Sequence, residues 1–422
     1  MILAHGKLYE DSALAALLET LEADCIRTIG SQSITQEQVI AACDKLARRV
    51  AEGDYDRILK RFMANFHIDE AHLSAVLQLF SHESLAYKCR MELGDTSELL
   101  RHEGHRDIRR YRYPLGVLFH IAAGNVDGLP AYSVIEGLLA GNINILKLPS
   151  ADSGLSVLLL SELCKIEPAL ADFIYVFDVP STDLASLSMF AAVADAVVVW
   201  GGDEAVSAAR SLAPCNTRVI SWGHKLSFAY ATLDATDTDL TALAHHICQT
   251  RQLLCSSCQG VYVDTADRTV LEGFGRRFYE ILRSVSAAYP PVPTGMRAKA
   301  TLHLYNEELE QHITGNTVYR GDGVSVLVTE ESALVLSCLF RNCWVKPLPR
   351  ERIVPTLKGK KGYLQTCGLL CGDHDRHSLS ELLARAGAVR ITEAGEMSRT
   401  IAGEAHDGDY PLRLYSRTVE FG

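Results

Sequence analysis

The chain has 422 residues, of which 48% are hydrophobic and 22% charged, the make-up of a compact protein with two or three domains and not of a disordered one. A formal net charge of −11 argues against nucleic acid as the main partner, because phosphate binding needs clustered Lys and Arg. An apolar run of about 18 residues, the length that spans a bilayer as a helix, does not occur, so no membrane span is expected.

The first residues, Met1 to Lys7, show no basic segment followed by an apolar core. This predicts a cytoplasmic protein whose twelve cysteines are reduced thiols and not a disulfide framework. Residues 8–105 read as helical. Thr35 with Gln38 three residues on is a capping box ahead of the apolar pattern that Val39 and Ile40 open. Residues 1–105 are expected to form a helical part of the first domain.

From Tyr113 the texture changes to strands alternating with helices. Strand patterns fall at Tyr113–Ile121, Ile143–Leu148, Phe173–Phe177, Ala196–Trp200 and Arg218–Trp222. Helix patterns fall at Ala131–Leu139, from Gly154 to Cys164, from Thr182 to Ala192, and from Gly202 to Leu212. Apolar, β-branched strands in this alternation predict a parallel sheet covered on both faces, over 106–224. A second α/β unit is expected over 225–400, with strands at Phe228–Ala231, Gly260–Val263, Val324–Val328 and Trp344–Leu348. The tail, 401–422, alternates like an exposed strand that returns to the first domain or pairs with another subunit.

The chemistry concentrates at Arg251–Gly260, where Cys255 and Cys258 share a short polar run just ahead of a strand. A cysteine there is held rigidly and can still face a cleft, which suits a nucleophile. A buried structural thiol and a redox pair are the competing readings. Gly201–Gly202, between a strand and a helix, can admit a pyrophosphate to backbone N–H groups. Lys147, at a strand end, can meet a cofactor ribose or phosphate. Asn125, in the turn after the first strand, can donate to an oxyanion. Each of the three also has an ordinary reading, as a glycine turn, a solvated lysine and a turn-forming asparagine. Cys371–His377 gathers Cys, His and Asp in one loop, but lacks paired ligand spacing, so no metal is expected.

The ordered set Pro114–Val117, Gly124–Val126, Ala140–Lys147, Trp200–Glu204, Gly223–Ser227 and Gln252–Ser257 resembles the aldehyde dehydrogenase superfamily, and within it the LuxC-type acyl-CoA reductases. The resemblance implies an aldehyde dehydrogenase-like fold of two Rossmann-like α/β domains with a helical N-terminal region. It implies Cys255 as nucleophile, with Asn125 and the Cys255 backbone N–H as oxyanion hole. It also implies Lys147 at the adenosine ribose, and Gly201 and Gly202 at the pyrophosphate. Where hydrolytic members carry a glutamate, this chain has Ser221. Where NAD-preferring members often carry Glu, it has Ser150, which would not repel a 2′-phosphate. The implied reaction is NADPH-dependent reduction of an acyl thioester to an aldehyde, with NADH also open. The acyl donor would be acyl-CoA or an acylated partner protein, with an acyl-protein synthetase as partner and a homo-oligomer as the assembly. The acidic contact to the nicotinamide ribose has no evident counterpart. The alternatives are an aldehyde-oxidising dehydrogenase, a non-redox cysteine acyltransferase and an acyl-binding subunit.

Overall fold

The computed structural model describes residues 1–56, 59–60, 74, 77–94, 97–100, 107–122, 128–150, 152 and 154–422. The chain divides into two units, Met1–Gly223 with Ile401–Gly422, and His224–Thr400.

In chain order the first unit contains β1 (Ile2–Ala4), β2 (Lys7–Tyr9), β3 (Ser97–Leu100), β4 (Ile108–Pro114), β5 (Val117–Ile121), β6 (Ile143–Lys147), β7 (Ile174–Phe177), β8 (Ala196–Trp200) and β9 (Arg218–Trp222). Seven of these form a sheet in the order β2-β1-β7-β6-β5-β8-β9. The pairs among β5 to β9 are parallel, while β1 joins β7 antiparallel. The second unit holds β10 (Leu226–Ala231), β11 (Cys258–Val263), β12 (Thr317–Gly321), β13 (Val324–Val328), β14 (Asn342–Pro347), β15 (Leu364–Leu370) and β16 (Arg390–Glu393). Their order is β12-β13-β14-β11-β10-β15-β16, parallel except for the β12–β13 hairpin. Both units are therefore Rossmann-like, and helices Leu14–Ser31, Gln36–Ala51 and His82–Leu93 supply the helical N-terminal region. Among the described residues no helix is long and apolar enough to cross a membrane.

Three local differences from the sequence expectation have physical causes. Residues 2–9 are a hairpin, not a lead-in to helix; His5 and Gly6 turn it with positive φ, and Ile2, Leu3 and Ala4 are buried in the main core. Tyr113–Ile121 is two strands, not one. Gly116, at φ +136°, breaks it where a Cβ would collide with Asp195, whose carboxylate accepts the Val117 N–H at 2.8 Å. The first piece, β4, leaves the parallel sheet and pairs with β3 and with the tail strand β17 (Ser416–Phe421). β15 has no strand pattern in the sequence, because Leu, Gln, Cys and Gly dominate it and its one β-branched residue is Thr366.

The first sheet is braced by a buried polar chain. His120 on β5 bonds Ser133 at 2.7 Å and Asn144 at 3.0 Å, and the Trp200 indole N–H donates to the same Ser133 hydroxyl at 2.9 Å. Asn142 accepts the Gly116 N–H at 3.0 Å and donates to the Tyr415 carbonyl at 2.9 Å, so the tail is stitched to the sheet. Glu92 adds a second stitch by accepting the Leu412 N–H at 2.8 Å.

The capping box at Thr35–Gln38 is present with both reciprocal bonds. Replacing Thr35 by Ala should cost about 1 kcal/mol. A urea titration followed by circular dichroism would show this as an earlier midpoint with an unchanged slope.

Candidate active site

In the second unit, the helix Asp237–Thr250 ends where Arg251 and Gln252 take left-handed φ values of 52° and 63°. Two consecutive non-glycine residues in that region cost strain and need support from their surroundings. Gln252 provides it. Its carboxamide is buried; Nε2 donates to the Cys258 carbonyl at 3.0 Å and to Ser337 Oγ at 3.2 Å, and Oε1 accepts the Arg341 N–H at 2.9 Å. Gln259 repeats the pattern: its Nε2 donates to the Ser257 carbonyl at 3.2 Å, and its Oε1 accepts from the Ser337 hydroxyl at 2.8 Å.

Between these clamps lies a tight turn. The Ser257 N–H donates to the Leu254 carbonyl at 2.9 Å, so Cys255 and Ser256 occupy its centre. Ser227 on β10 donates its hydroxyl to the Cys255 carbonyl at 2.6 Å and accepts the Thr366 N–H at 3.0 Å. The register of β10 against β11 shifts between Ser227 and Ala229, a bulge of the kind that re-aims residues beside a site. Ser256 bonds Ser398 at 2.7 Å. The backbone of Cys255 is thus fixed while its side chain is exposed.

Cys258, three residues on, is wholly buried and its S–H donates to the Gly260 carbonyl at 3.2 Å. Burial pushes its thiol up to about 12, so it supplies no thiolate near neutral pH. The two cysteines are therefore not equivalent, and none of the twelve, all described, forms a disulfide. His246 is also buried; its Nε2 accepts the Cys258 N–H at 3.3 Å, and burial pulls its pKa down to about 4. Arg350 takes the Asp375 carboxylate through both oxygens, at 2.8 and 3.2 Å, and His374 stands exposed beside it; both lie in the first turn of the helix Asp373–Ala386, so Cys371–His377 is not one loop. Among the described residues no group of three or more His, Cys, Asp and Glu side chains could hold a metal ion.

In the first unit, the chain runs outward from β5 through β6 to β7 and then returns to β8 on the other side of β5. The crevice outside the carboxyl ends of β5 and β8 is the switch point where such sheets bind ligands. Gly201 and Gly202 follow β8 there. Gly201 has φ +157°, and a Cβ would come within 2.9 Å of Ala205; at Gly202 the space within 4 Å of a Cβ position is open. Asp203 and Glu204 occupy the first turn of the following helix. Lys147 closes β6; it is buried and its ammonium donates to Ser181 Oγ at 2.9 Å. Burial pulls its pKa down, and Asp178 partly opposes this. Ser150 is exposed in the turn beyond. Asn125 lies outside the described residues.

Gln252, Gln259, Ser227 and Ser181 carry no sign of these structural roles in the sequence. Gln252 and Gln259 flank the cysteine run, but nothing in a linear pattern tells a buried clamp from a surface amide.

The family model of the acyl-CoA reductase LuxC matches residues 32–418. The chain belongs to that family. The long-chain acyl-protein thioester reductase 2 of Photobacterium leiognathi is 27% identical over 311 residues, covering 71% of this chain and 63% of that protein. The long-chain acyl-protein thioester reductase of Aliivibrio fischeri is 27% identical over 314 residues, covering 72% of this chain and 64% of that protein. The matched region thus spans less than two thirds of these relatives' length. Among solved structures, an NAD-dependent benzaldehyde dehydrogenase from Corynebacterium glutamicum superposes with a TM-score of 0.66 at 14% identity, covering 98% of this chain and 91% of that one. An aldehyde dehydrogenase of Physcomitrella patens gives a TM-score of 0.70 at 12% identity, covering 97% and 89%. The fold is that of the aldehyde dehydrogenases.

Two measurements probe this geometry. Brief iodoacetamide labelling with peptide mass mapping should modify Cys255 well before Cys258. Separately, His246 and His120 both have pKa values lowered from 6.5 to about 4 by burial. The unfolded chain then binds more protons between these values, so the stability held above pH 6.5 should fall as pH drops towards 4. Urea midpoints across that range, with His246→Gln as a flatter comparison, check this.

Proposed function

We propose that the chain reduces a long-chain acyl thioester to an aldehyde, by way of an acyl group carried on Cys255 and with a nicotinamide cofactor as reductant. The carrying observation is an exposed cysteine on a backbone clamped by Gln252, Gln259 and Ser227, in a chain of this family.

The Cys255 thiolate attacks the carbonyl carbon of the donor thioester. A new C–S bond forms, the bond to the donor sulfur breaks, and the donor leaves as a thiolate. Attacking and leaving groups are of similar basicity, so the exchange needs little driving force. Asn125 and the Cys255 N–H are the proposed donors to the oxyanion. When bound, the nicotinamide ring supplies the hydride that turns the acyl-cysteine into a thiohemiacetal. Collapse of that adduct expels the Cys255 thiolate and releases the aldehyde.

The residues at the first unit's switch point fit a dinucleotide. Among the described residues the Lys147 ammonium donates to a hydroxyl, that of Ser181, and Gly202 leaves room for close backbone approach. Lys147 and Ser150 are proposed at the adenosine ribose, where the absence of a carboxylate at Ser150 favours NADPH. Gly201 and Gly202 are proposed at the pyrophosphate. The acidic first turn at Asp203 and Glu204 argues for contact through the glycine backbone and not through the helix end itself.

The acyl donor is proposed to be an acylated partner protein, such as a synthetase that carries the acyl group, or acyl-CoA. The reduced thiols fit a cytoplasmic setting. The outer edge of β17 has no strand beside it among the described residues, which supports association with a second copy.

Intact mass after incubation with a long-chain acyl-CoA should show one acyl adduct, lost in Cys255→Ala and discharged as aldehyde when NADPH is added. An adduct that persists in Cys255→Ala would overturn the assignment. Asn125→Ala should slow turnover ~10²–10³-fold. Lys147→Met should raise the KM for NADPH more than it lowers kcat.

A further inference from the structure

The second unit contains a cavity of about 480 Å³ that the proposed reaction does not use. It lies between the helix Thr294–Thr314 and the β12–β13 hairpin. Its apolar wall is Ala300, Leu304, Val318 and Val324. Two guanidinium groups face it, and they differ. Arg320 is already neutralised by Glu308, and it covers the Tyr305 ring 4.1 Å from the centroid. Arg297 is half-buried, and its Nε is buried without any hydrogen-bond partner. Among the described residues no carboxylate pairs with it. An arginine stays charged at any physiological pH, and a partly desolvated, unpaired charge is unfavourable until an anion meets it.

The cavity also touches a residue tied to the nucleophile loop. Asn342 lines it; its Oδ1 accepts the Ser325 hydroxyl at 2.6 Å, and its Nδ2 donates to the carbonyls of Leu339 at 2.6 Å and Phe340 at 3.2 Å. Leu339, Phe340 and Arg341 all have left-handed φ values, of 61°, 50° and 70°. This strained run grips the other side: the Phe340 N–H donates to the Arg251 carbonyl at 3.2 Å, and the Arg341 N–H donates to Gln252 Oε1. One side chain and three residues thus separate the cavity from the clamp behind Cys255.

We propose that this cavity binds a small organic carboxylate through Arg297, and that its occupancy alters the reactivity of Cys255 through Asn342 and residues 339–341. A carboxylate matches the planar fork of one unpaired guanidinium. A phosphate would bring a second negative charge to walls that already carry Glu308 and Asp322. The apolar wall selects a ligand with a short hydrocarbon body, of a size ordinary for cavities of this volume.

The test uses the full-length protein and hexanoate as probe, with inorganic phosphate in parallel. Titration calorimetry should show one hexanoate site, weakened about tenfold or more in Arg297→Met, with phosphate weaker than hexanoate. The rate of Cys255 alkylation by iodoacetamide, read by peptide mass mapping, should change at least about twofold at saturating hexanoate, and not in Arg297→Met. This readout needs no substrate or cofactor, so it stands apart from the proposed reduction. If Arg297→Met does not fold, Ala300→Phe fills the same cavity and should abolish binding. Equal hexanoate affinity in the folded variant would overturn the site. Tighter phosphate binding would overturn the carboxylate assignment, and an unchanged alkylation rate would overturn the coupling.

Discussion

One buried carboxamide holds the loop on which the candidate chemistry depends. Gln252 sits in a backbone conformation that costs energy, and it offsets that cost by using its side-chain oxygen and nitrogen on three separate segments: Cys258 on β11, Ser337, and Arg341. A buried amide left half-satisfied would cost about 1–3 kcal/mol, so the three segments are tied to one arrangement. The consequence for Cys255 is indirect and strong. Its turn is anchored by Gln252 and Gln259 on its flanks and by Ser227 beneath it, so an exposed thiol is carried on a backbone with little freedom. Positioning of that kind converts binding into rate, because a nucleophile that does not have to be ordered loses less entropy on attack.

The sequence made the alternation of strands and helices legible because parallel strands buried on both faces read as continuous apolar runs. Val197–Val198–Val199 and Ile174–Phe177 are of this kind, and all are fully buried or nearly so. The capping box at Thr35 was legible because both of its partners lie within three residues. What was not legible depends on long-range contacts. β15 has weak local propensity and is a strand because β10 and β16 flank it. The hairpin at residues 2–9 exists because the edge of β7 was available to pair with it. The clamp at Gln252 spans about ninety positions to reach Arg341, and no spacing rule reports such a bond.

Several residues of the matched pattern turn out to be fastenings. Asn142 and Asn144 fall in the run Ala140–Lys147, whose last member alone carries a proposed cofactor role. Asn144 caps the His120 ring and donates to the Asn142 carbonyl at 2.7 Å, and Asn142 bonds Gly116 and Tyr415. Gly137 is small because a Cβ would collide with the Asn144 amide. A shared motif therefore mixes two kinds of constraint: groups that meet a ligand, and groups that hold a β-α-β crossover and the returning tail in register.

Ser221 bears on the proposed reaction, because the resemblance sets it where hydrolytic members carry a glutamate. Hydrolysis needs a base to take a proton from water as it attacks, and such a base contributes roughly 10²–10⁴-fold. Ser221 is on β9 beside Val199, and the stretch from Arg218 to Lys225 contains no carboxylate. Its one side chain with a proton-accepting nitrogen is His224, which is exposed. Water held by an exposed imidazole keeps its bulk hydrogen bonds and gains little from the protein's fixed dipoles. In the proposed reaction, an acyl group on Cys255 would survive longer against water where no carboxylate serves as base. That lifetime would let a reductant compete for the same carbonyl, and in the proposed reaction the partition between acid and aldehyde would depend on the residue at position 221 as much as on the nucleophile.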